Sequence, residues 1–440
     1  MSNKRLQEKA IGIYDKIRHD LYLCRPDMDV SGNKYNSHLL LGLLTQLNNG
    51  TQIVYGPYGG GKTSSSMYLN SIFYGLPLKV IRSAVVRGNP GITQEKSIAR
   101  PDYGELNKGE EEVRWQKFCL IPPKIWDELP RTPEGVQSIT LAGIEEGSWA
   151  YLNQHIFEGR RPFYATANFA DRGSYSIIPA LMDRFDIATV VGFPGLLNSR
   201  AISRRYNKEQ ELILEDENLS NEAEKILLGR SSYLDIHKNL QEVRRQFLKN
   251  LSEKGIPALT DQEKAEINTQ INQIAVSSQA EAYCTLLTAE LNIPSRGEYL
   301  RSFASQCPES RRLDQVLVRY GQSLAWLQKR DHVTLEDVLK IAPYALWHRV
   351  DWKDEVRGKF ADYPGNDLDL MIAKAMLGDG SKGYSGLKQR LQENAPKMEE
   401  FRKLVADEKK DEAEQLLRAI TINDKTHPYF WDMKQELDDM

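Results

Sequence analysis

Gly56-Pro57-Tyr58-Gly59-Gly60-Gly61-Lys62-Thr63 is the stretch on which the reading of this chain turns. It fits G-x-x-x-x-G-K-[ST], the phosphate-binding P-loop pattern. Glycines let backbone N–H groups turn inward and approach phosphate oxygens closely. A helix beginning at the end of the loop adds the positive end of its dipole. Lys62 is then expected to reach the β- and γ-phosphates, with Thr63 as a ligand of Mg²⁺ and Ser64 beside it in the first helical turn. At average residue usage the pattern arises by chance at roughly 4 × 10⁻⁵ of start positions. Its surroundings also agree. The β-type run Gln52 to Tyr55 precedes it, and Ser64 to Phe73 follows with the character of a helix.

Outward from the loop, further short apolar runs bounded by turn residues lie at Val80 to Val86, Phe163 to Ala167 and Ile187 to Val191, and they read as strands. Strands alternating with helices argue an α/β unit with a parallel sheet. Upstream, Leu6, Ala10, Ile13, Ile17 and Leu21 recur at helical spacing, and His38 to Leu47 reads as a buried helix. Residues 87–117, rich in Gly, Pro and charge, read as an exposed loop with a hairpin inside it, because a structureless loop of that length is uncommon in a compact domain. After the Gly-Phe-Pro-Gly of Gly192 to Gly195, strand signals fade and helical periodicity takes over.

A P-loop needs an acidic element for metal and water. Ile125-Trp126-Asp127-Glu128 supplies one, with Asp127 placed to hold Mg²⁺ and Glu128 to polarise the attacking water as general base. Pro122 and Pro123 stand where strand interior is usual. Proline cannot donate to a ladder, so this strand is expected to be three or four residues long and to end at Asp127.

Beyond the acid pair the motifs resemble those of the AAA+ ATPases, and within them the MoxR family. Lys124 to Gly147 (KIWDELPRTPEGVQSITLAGIEEG) resembles the family's Walker B strand and the helix after it. Phe163 to Phe185 (FYATANFADRGSYSIIPALMDRF) resembles its sensor segment, and Pro294 to Val350 its lid. The resemblance covers roughly residues 30–195 and 285–350. It implies an α/β P-loop NTPase core with a parallel sheet between helices, an all-α lid and a helical C-terminal tail. The expected division is 1–195 for the nucleotide-binding core with N-terminal helices, 196–285 for a helical connector, 286–350 for the lid and 351–440 for the tail. Residue by residue, Asn168 matches sensor 1, Arg184 in Asp183-Arg184-Phe185 matches an arginine finger that serves a neighbouring subunit, and Arg296 in Pro294-Ser295-Arg296 matches sensor 2, with Arg301 a nearby competitor. Arg131 matches an arginine near the subunit interface, although a surface ion pair is an equal reading. The resemblance further implies ATP and Mg²⁺ as cofactors, a ring oligomer (a hexamer), and chaperone-like work on protein clients with a partner that carries a von Willebrand factor A domain.

Composition narrows the alternatives. The chain has 440 residues, with 58 Lys plus Arg against 61 Asp plus Glu and a formal charge of −3. A balance this close gives no global signal for a polyanion partner. It weighs against the nucleic-acid motor that related clades would suggest. A metal-chelatase ATPase subunit and a non-hydrolysing nucleotide switch are further alternatives. Intact Lys62, Thr63, Asp127, Glu128 and Asn168 argue against the switch. No apolar run reaches the roughly 18–20 residues of a spanning helix. The N-terminus is polar, and the four cysteines form no C-x-x-C pair. The expectation is a reducing cytoplasm and no membrane.

Overall fold

Five short strands make one parallel sheet: β1 (Thr51–Tyr55), β2 (Val86–Arg87), β3 (Lys124–Asp127), β4 (Phe163–Ala167) and β5 (Ile187–Val190). Their order across the sheet is β5-β1-β4-β3-β2. Thr51 to Tyr55 runs beside Phe163 to Ala167 on one side and, from Gln52, beside Ile187 to Val190 on the other. On the far side of β4, Phe163 pairs with Lys124 and Ala165 with Trp126. β1 and β4 are almost wholly buried, as a parallel sheet covered on both faces requires. The strand that carries the acid pair is four residues long and ends at Asp127, as the two prolines before it dictate.

The computed structural model describes residues 2–109, 111–169, 175–204, 209–229, 231–292, 303–306, 310, 312–379, 386–421 and 428–438. The chain divides into two units, Met1–Gln270 and Ile271–Met440. In the first, helices α1 (Ser2–Lys16), α2 (Ser37–Asn48), α3 (Lys62–Tyr74), α4 (Leu78–Ser83) and α5 (Glu134–Glu145) accompany the sheet. Asn36 caps α2 through Leu39 N–H, and eleven consecutive residues of that helix are buried. The sequence after Gly195 continues in this unit as α6 (Glu217–Leu228), α7 (Tyr233–Glu253) and all but the last two residues of α8 (Asp261–Asn272). Ile236, Leu240, Val243, Phe247 and Leu251 form the buried stripe of α7, at the spacing an amphipathic helix presents to a core.

One expected strand is different. Val80 and Ile81 lie in α4, where Leu78, Val80 and Ile81 are buried, and the strand begins only at Val86. The Pro77 carbonyl at the helix N-cap accepts the Val80 and Ile81 N–H groups at 3.0 and 3.2 Å, and burial of Val80 and Ile81 in the helix overrides their β-branched propensity. Within 87–117 the expected hairpin pairs Ala99–Pro101 with Val113–Trp115. Short helical turns at Gln94–Ser97 and Tyr103–Leu106 flank its first strand.

The second unit is mostly helical, with α9 (Ser278–Asn292), α10 (Arg312–Leu327) and α11 (Leu335–Leu346) at its centre. Thr334 and Asp337 form a reciprocal capping box at the start of α11. Arg330 grips both oxygens of Asp337 at 2.5 Å. Short two-stranded pairings join Ala275–Val276 to His332–Val333 and Ala304–Gln306 to Asp351–Trp352. No helix among the described residues is long and apolar enough to cross a membrane.

Candidate nucleotide site

The chain leaves β1 at Tyr55 and enters α3 at Lys62. Between them Gly59 and Gly61 take left-handed backbone, φ 71° and 77°, which a side chain would strain. A Cβ on Gly60 would come within 3.1 Å of the Pro57 carbonyl and 3.3 Å of Val191. A Cβ on Gly61 would strike the Tyr22 ring at 2.8 Å. Tyr22, just beyond α1, therefore lies against the loop from outside, its hydroxyl 3.4 Å from Gly60 O. Tyr58 is exposed, as are Pro57 and Gly59 beside it.

Lys62 is buried, and its ammonium donates to Gly56 O at 3.0 Å, Pro57 O at 2.8 Å and Asn168 Oδ1 at 2.7 Å. Burial pulls its pKa below the usual lysine range, against the attraction of Asp127 and Glu128. Thr63 Oγ1 donates to Asp127 Oδ1 at 2.5 Å. Thr166 Oγ1 donates to the same carboxylate oxygen at 2.7 Å and accepts the Glu128 N–H at 2.8 Å. Glu128 has φ 52° and ψ 47°, a left-handed conformation that costs a non-glycine residue about 1–3 kcal/mol. Its Oε1 lies 3.5 Å from Asn168 Nδ2, and its Oε2 faces Arg131 at 3.2 Å. Arg131 also donates to the Tyr58 hydroxyl at 3.3 Å.

The sheet order explains this convergence. β4 lies between β1 and β3, so Asn168, just past its end, reaches Lys62 on one side and Glu128 on the other. Thr166, two residues earlier on the same strand, touches the acid pair. The sequence reading did not single it out. Its period-2 relation to Asn168 was the available signal. Tyr22 carried no local signal.

One sequence-identified arginine, Arg184, stands apart. The Arg184 carbonyl accepts from Thr51 Oγ1 at 2.6 Å, at the start of β1. That is about 13 Å along the strand from the loop end. Its guanidinium is tied within the chain to Glu145 at 2.7 Å and to Ala180 O at 2.7 Å. Arg296 and its alternative Arg301 lie outside the described residues.

The residues present fit a nucleotide with Mg²⁺. Gly59 and Gly61 hold left-handed backbone that a side chain would strain, and a Cβ on Gly60 would crowd the Pro57 carbonyl at 3.1 Å. The Lys62 ammonium is held by three oxygens that phosphate oxygens can replace. Thr63 and Asp127 offer the hard oxygen donors that Mg²⁺ takes, one or two protein ligands beside phosphates. Among the described residues no group of three or more His, Cys, Asp or Glu forms a separate metal cage.

Comparison with known proteins agrees with this geometry. Residues 308–363 match the AAA lid domain. The solved structure of a candidate ATPase from Cytophaga hutchinsonii superposes with a TM-score of 0.56 at 18% identity, covering 84% of this chain and 96% of that one. The uncharacterized protein YeaC of Bacillus subtilis is 24% identical over 254 residues. That match takes in 57% of this chain and 62% of YeaC, so it spans less than two thirds of that relative. The fold is that of the AAA+ ATPases: a P-loop α/β core with a five-stranded parallel sheet, and a helical AAA lid domain.

Proposed function

We infer that the chain is an ATP-hydrolysing AAA+ machine of the MoxR type, working as a ring hexamer that remodels or matures protein clients in a chaperone-like manner. The observation that carries the hydrolytic reading is the continuous set of contacts Thr63–Asp127–Thr166–Glu128–Asn168–Lys62. When bound, ATP with Mg²⁺ supplies the scissile phosphoanhydride and the charge that polarises it. Lys62 would exchange Asn168 and the loop carbonyls for phosphate oxygens. Thr63 and Asp127 would hold the metal, directly or through water. Glu128 would accept a proton from the attacking water while Asn168 orients that water. Arg184 would act on a neighbouring subunit's nucleotide, which agrees with its distance from its own loop. In this reading the divisions 1–195, 196–285, 286–350 and 351–440 serve as core, connector, lid and tail.

A partner with a von Willebrand factor A domain and a cytoplasmic setting belong to the same reading through the MoxR resemblance. The test is ATP turnover by the full chain. Lys62→Ala is expected to lose nucleotide binding, and Glu128→Gln to bind ATP without turning it over. Normal turnover by Glu128→Gln would sink the assignment. Size-exclusion chromatography with and without ATP tests the ring, and stimulation by DNA would point instead to a nucleic-acid motor.

A further inference from the structure

α3 begins at the phosphate loop and ends, about 18 Å away, at a second cavity. This cavity has a volume of about 580 Å³ and is lined by residues from the C-terminal ends of α2 and α3 and from α7 and α8. Its walls carry Arg161, Arg244 and Lys264 with a single acid, Asp261, a local positive excess in a chain of net charge −3. Asp261 is already shared, since its Oδ1 accepts from Arg244 at 2.6 Å and pairs with Lys264 at 2.7 Å. The same two cations close the C-terminal end of α3, with Lys264 donating to Phe73 O and Arg244 to Tyr74 O, each at 2.7 Å.

Arg161 is left over. Its Nε is shut off from water with no hydrogen-bond partner among the described residues, and its ion-pair contact, Glu158 Oε2, is 4.0 Å away. That carboxylate is occupied by Lys124 at 2.8 Å, Trp149 at 3.0 Å and Tyr233 at 3.3 Å. His237, also on the wall, has an Nε2 shut off from water with no hydrogen-bond partner among the described residues. Burial lowers the His237 and Lys264 pKa values, and the neighbouring arginines lower both further. Glu158 opposes the shift at His237 and Asp261 opposes it at Lys264. The Asn49 and Gln241 side chains on the same wall add neutral polar groups.

We propose that this cavity is a binding site for a small phosphorylated molecule, whose phosphate pairs with Arg161 and Lys264 and whose body fills the remaining volume. A planar guanidinium suits a phosphate bidentately. The volume falls in the range of about 300–1,000 Å³ typical of organic ligands, more than a free phosphate ion fills. The site is separate from the phosphate loop, and the two occupy opposite ends of α3. Neither the fold nor the hydrolytic reading requires it.

The test uses the full chain in a Lys62→Ala background, so that the phosphate loop does not contribute. Inorganic phosphate and 5′-AMP are titrated by calorimetry, and the His237 ring is followed by NMR. Saturable binding of both probes is expected, tighter for 5′-AMP, with the His237 pKa moving upward on binding. Arg161→Gln removes a side chain whose ion-pair contact is 4.0 Å away, so the fold is expected to persist while affinity drops at least tenfold. Lys264→Gln gives a second, independent drop. Absence of saturable binding of either probe, or binding unchanged by Arg161→Gln, overturns the proposal. Binding of inorganic phosphate equal to that of 5′-AMP overturns the part that assigns the rest of the cavity to an organic body.

Discussion

Arg131 Nη1 lies 3.2 Å from Glu128 Oε2, so the carboxylate read as the general base is held from within its own chain. The pair is about one-third exposed on both sides, where it adds little to stability. Its effect is positional. Arg131→Met is expected to lower kcat about tenfold through loss of orientation, with ATP affinity changed by less than twofold. Steady-state turnover beside equilibrium nucleotide binding checks this. An unchanged kcat would leave Arg131 a surface ion pair and nothing more.

A second expectation concerns Arg184. If it serves a neighbour, Arg184→Ala should abolish turnover while a lone subunit still binds ATP. Glu145→Ala removes its partner at 2.7 Å within the chain and should leave binding intact while altering turnover. Mixing Arg184→Ala with Lys62→Ala protein separates the two sides of the proposed shared site. Recovery of part of the activity is expected, because one protomer then supplies the loop and another the arginine.

Beneath the acid pair, Lys124 and Glu158 form an ion pair whose side chains are 2% and 1% exposed. Lys124 also donates to the Phe118 and Ile121 carbonyls at 2.8 and 2.7 Å. Breaking a buried pair strands a charge and costs about 3–5 kcal/mol. Glu158→Gln should therefore lose stability of that order in urea denaturation. A loss under about 1 kcal/mol would mean that the site relaxes or admits water.

His38 predicts a pH dependence. Its ring is buried, with Nδ1 3.1 Å from Thr189 Oγ1 and Nε2 2.8 Å from Ser65 Oγ, and burial pushes its pKa down to about 3. The folded state keeps this ring neutral, while the unfolded chain takes up a proton near pH 6.5. Stability from this residue is thus full above pH 6.5 and is lost as pH falls toward 3, at up to about 1.4 kcal/mol per pH unit. Denaturation at pH 7 and pH 5 should differ by about 2 kcal/mol from this source. His38→Gln should flatten that difference.

Gly88 packs against the acid pair, its N–H donating to Asp127 O at 2.7 Å. A Cβ there would sit 2.1 Å from Glu128 O and 2.8 Å from Thr132 Oγ1. Gly88→Ala should displace the Glu128 backbone, lower turnover at least tenfold, and cost about 1–3 kcal/mol through overpacking. Glycine-to-alanine at Gly135, where nothing lies within 4 Å, is the matched control.

Local chemistry made part of this legible in the sequence. The glycine loop, the shortened strand behind two prolines and the order of strands and helices follow from residue types that act on their own neighbours. Val80 and Ile81, expected in a strand, did not, because apolar β-branched residues suit a strand or a buried helical turn alike, and tertiary burial decided between them. Thr166 and Tyr22 gain meaning only when the sheet order sets β4 beside β3 and the chain after α1 against the loop. Arg161, His237 and Lys264 are separated by tens of residues and carry no motif. Their meeting is a property of packing.

The left-handed backbone at Glu128 sets stability and turnover against each other at a single position. Glycine or asparagine would adopt that conformation at lower cost, by about 1 kcal/mol, and neither could take a proton from water. A library selected for thermal resistance alone should drift away from glutamate at 128 and accumulate well-folded, inert protein. Retaining glutamate there requires selection for turnover itself.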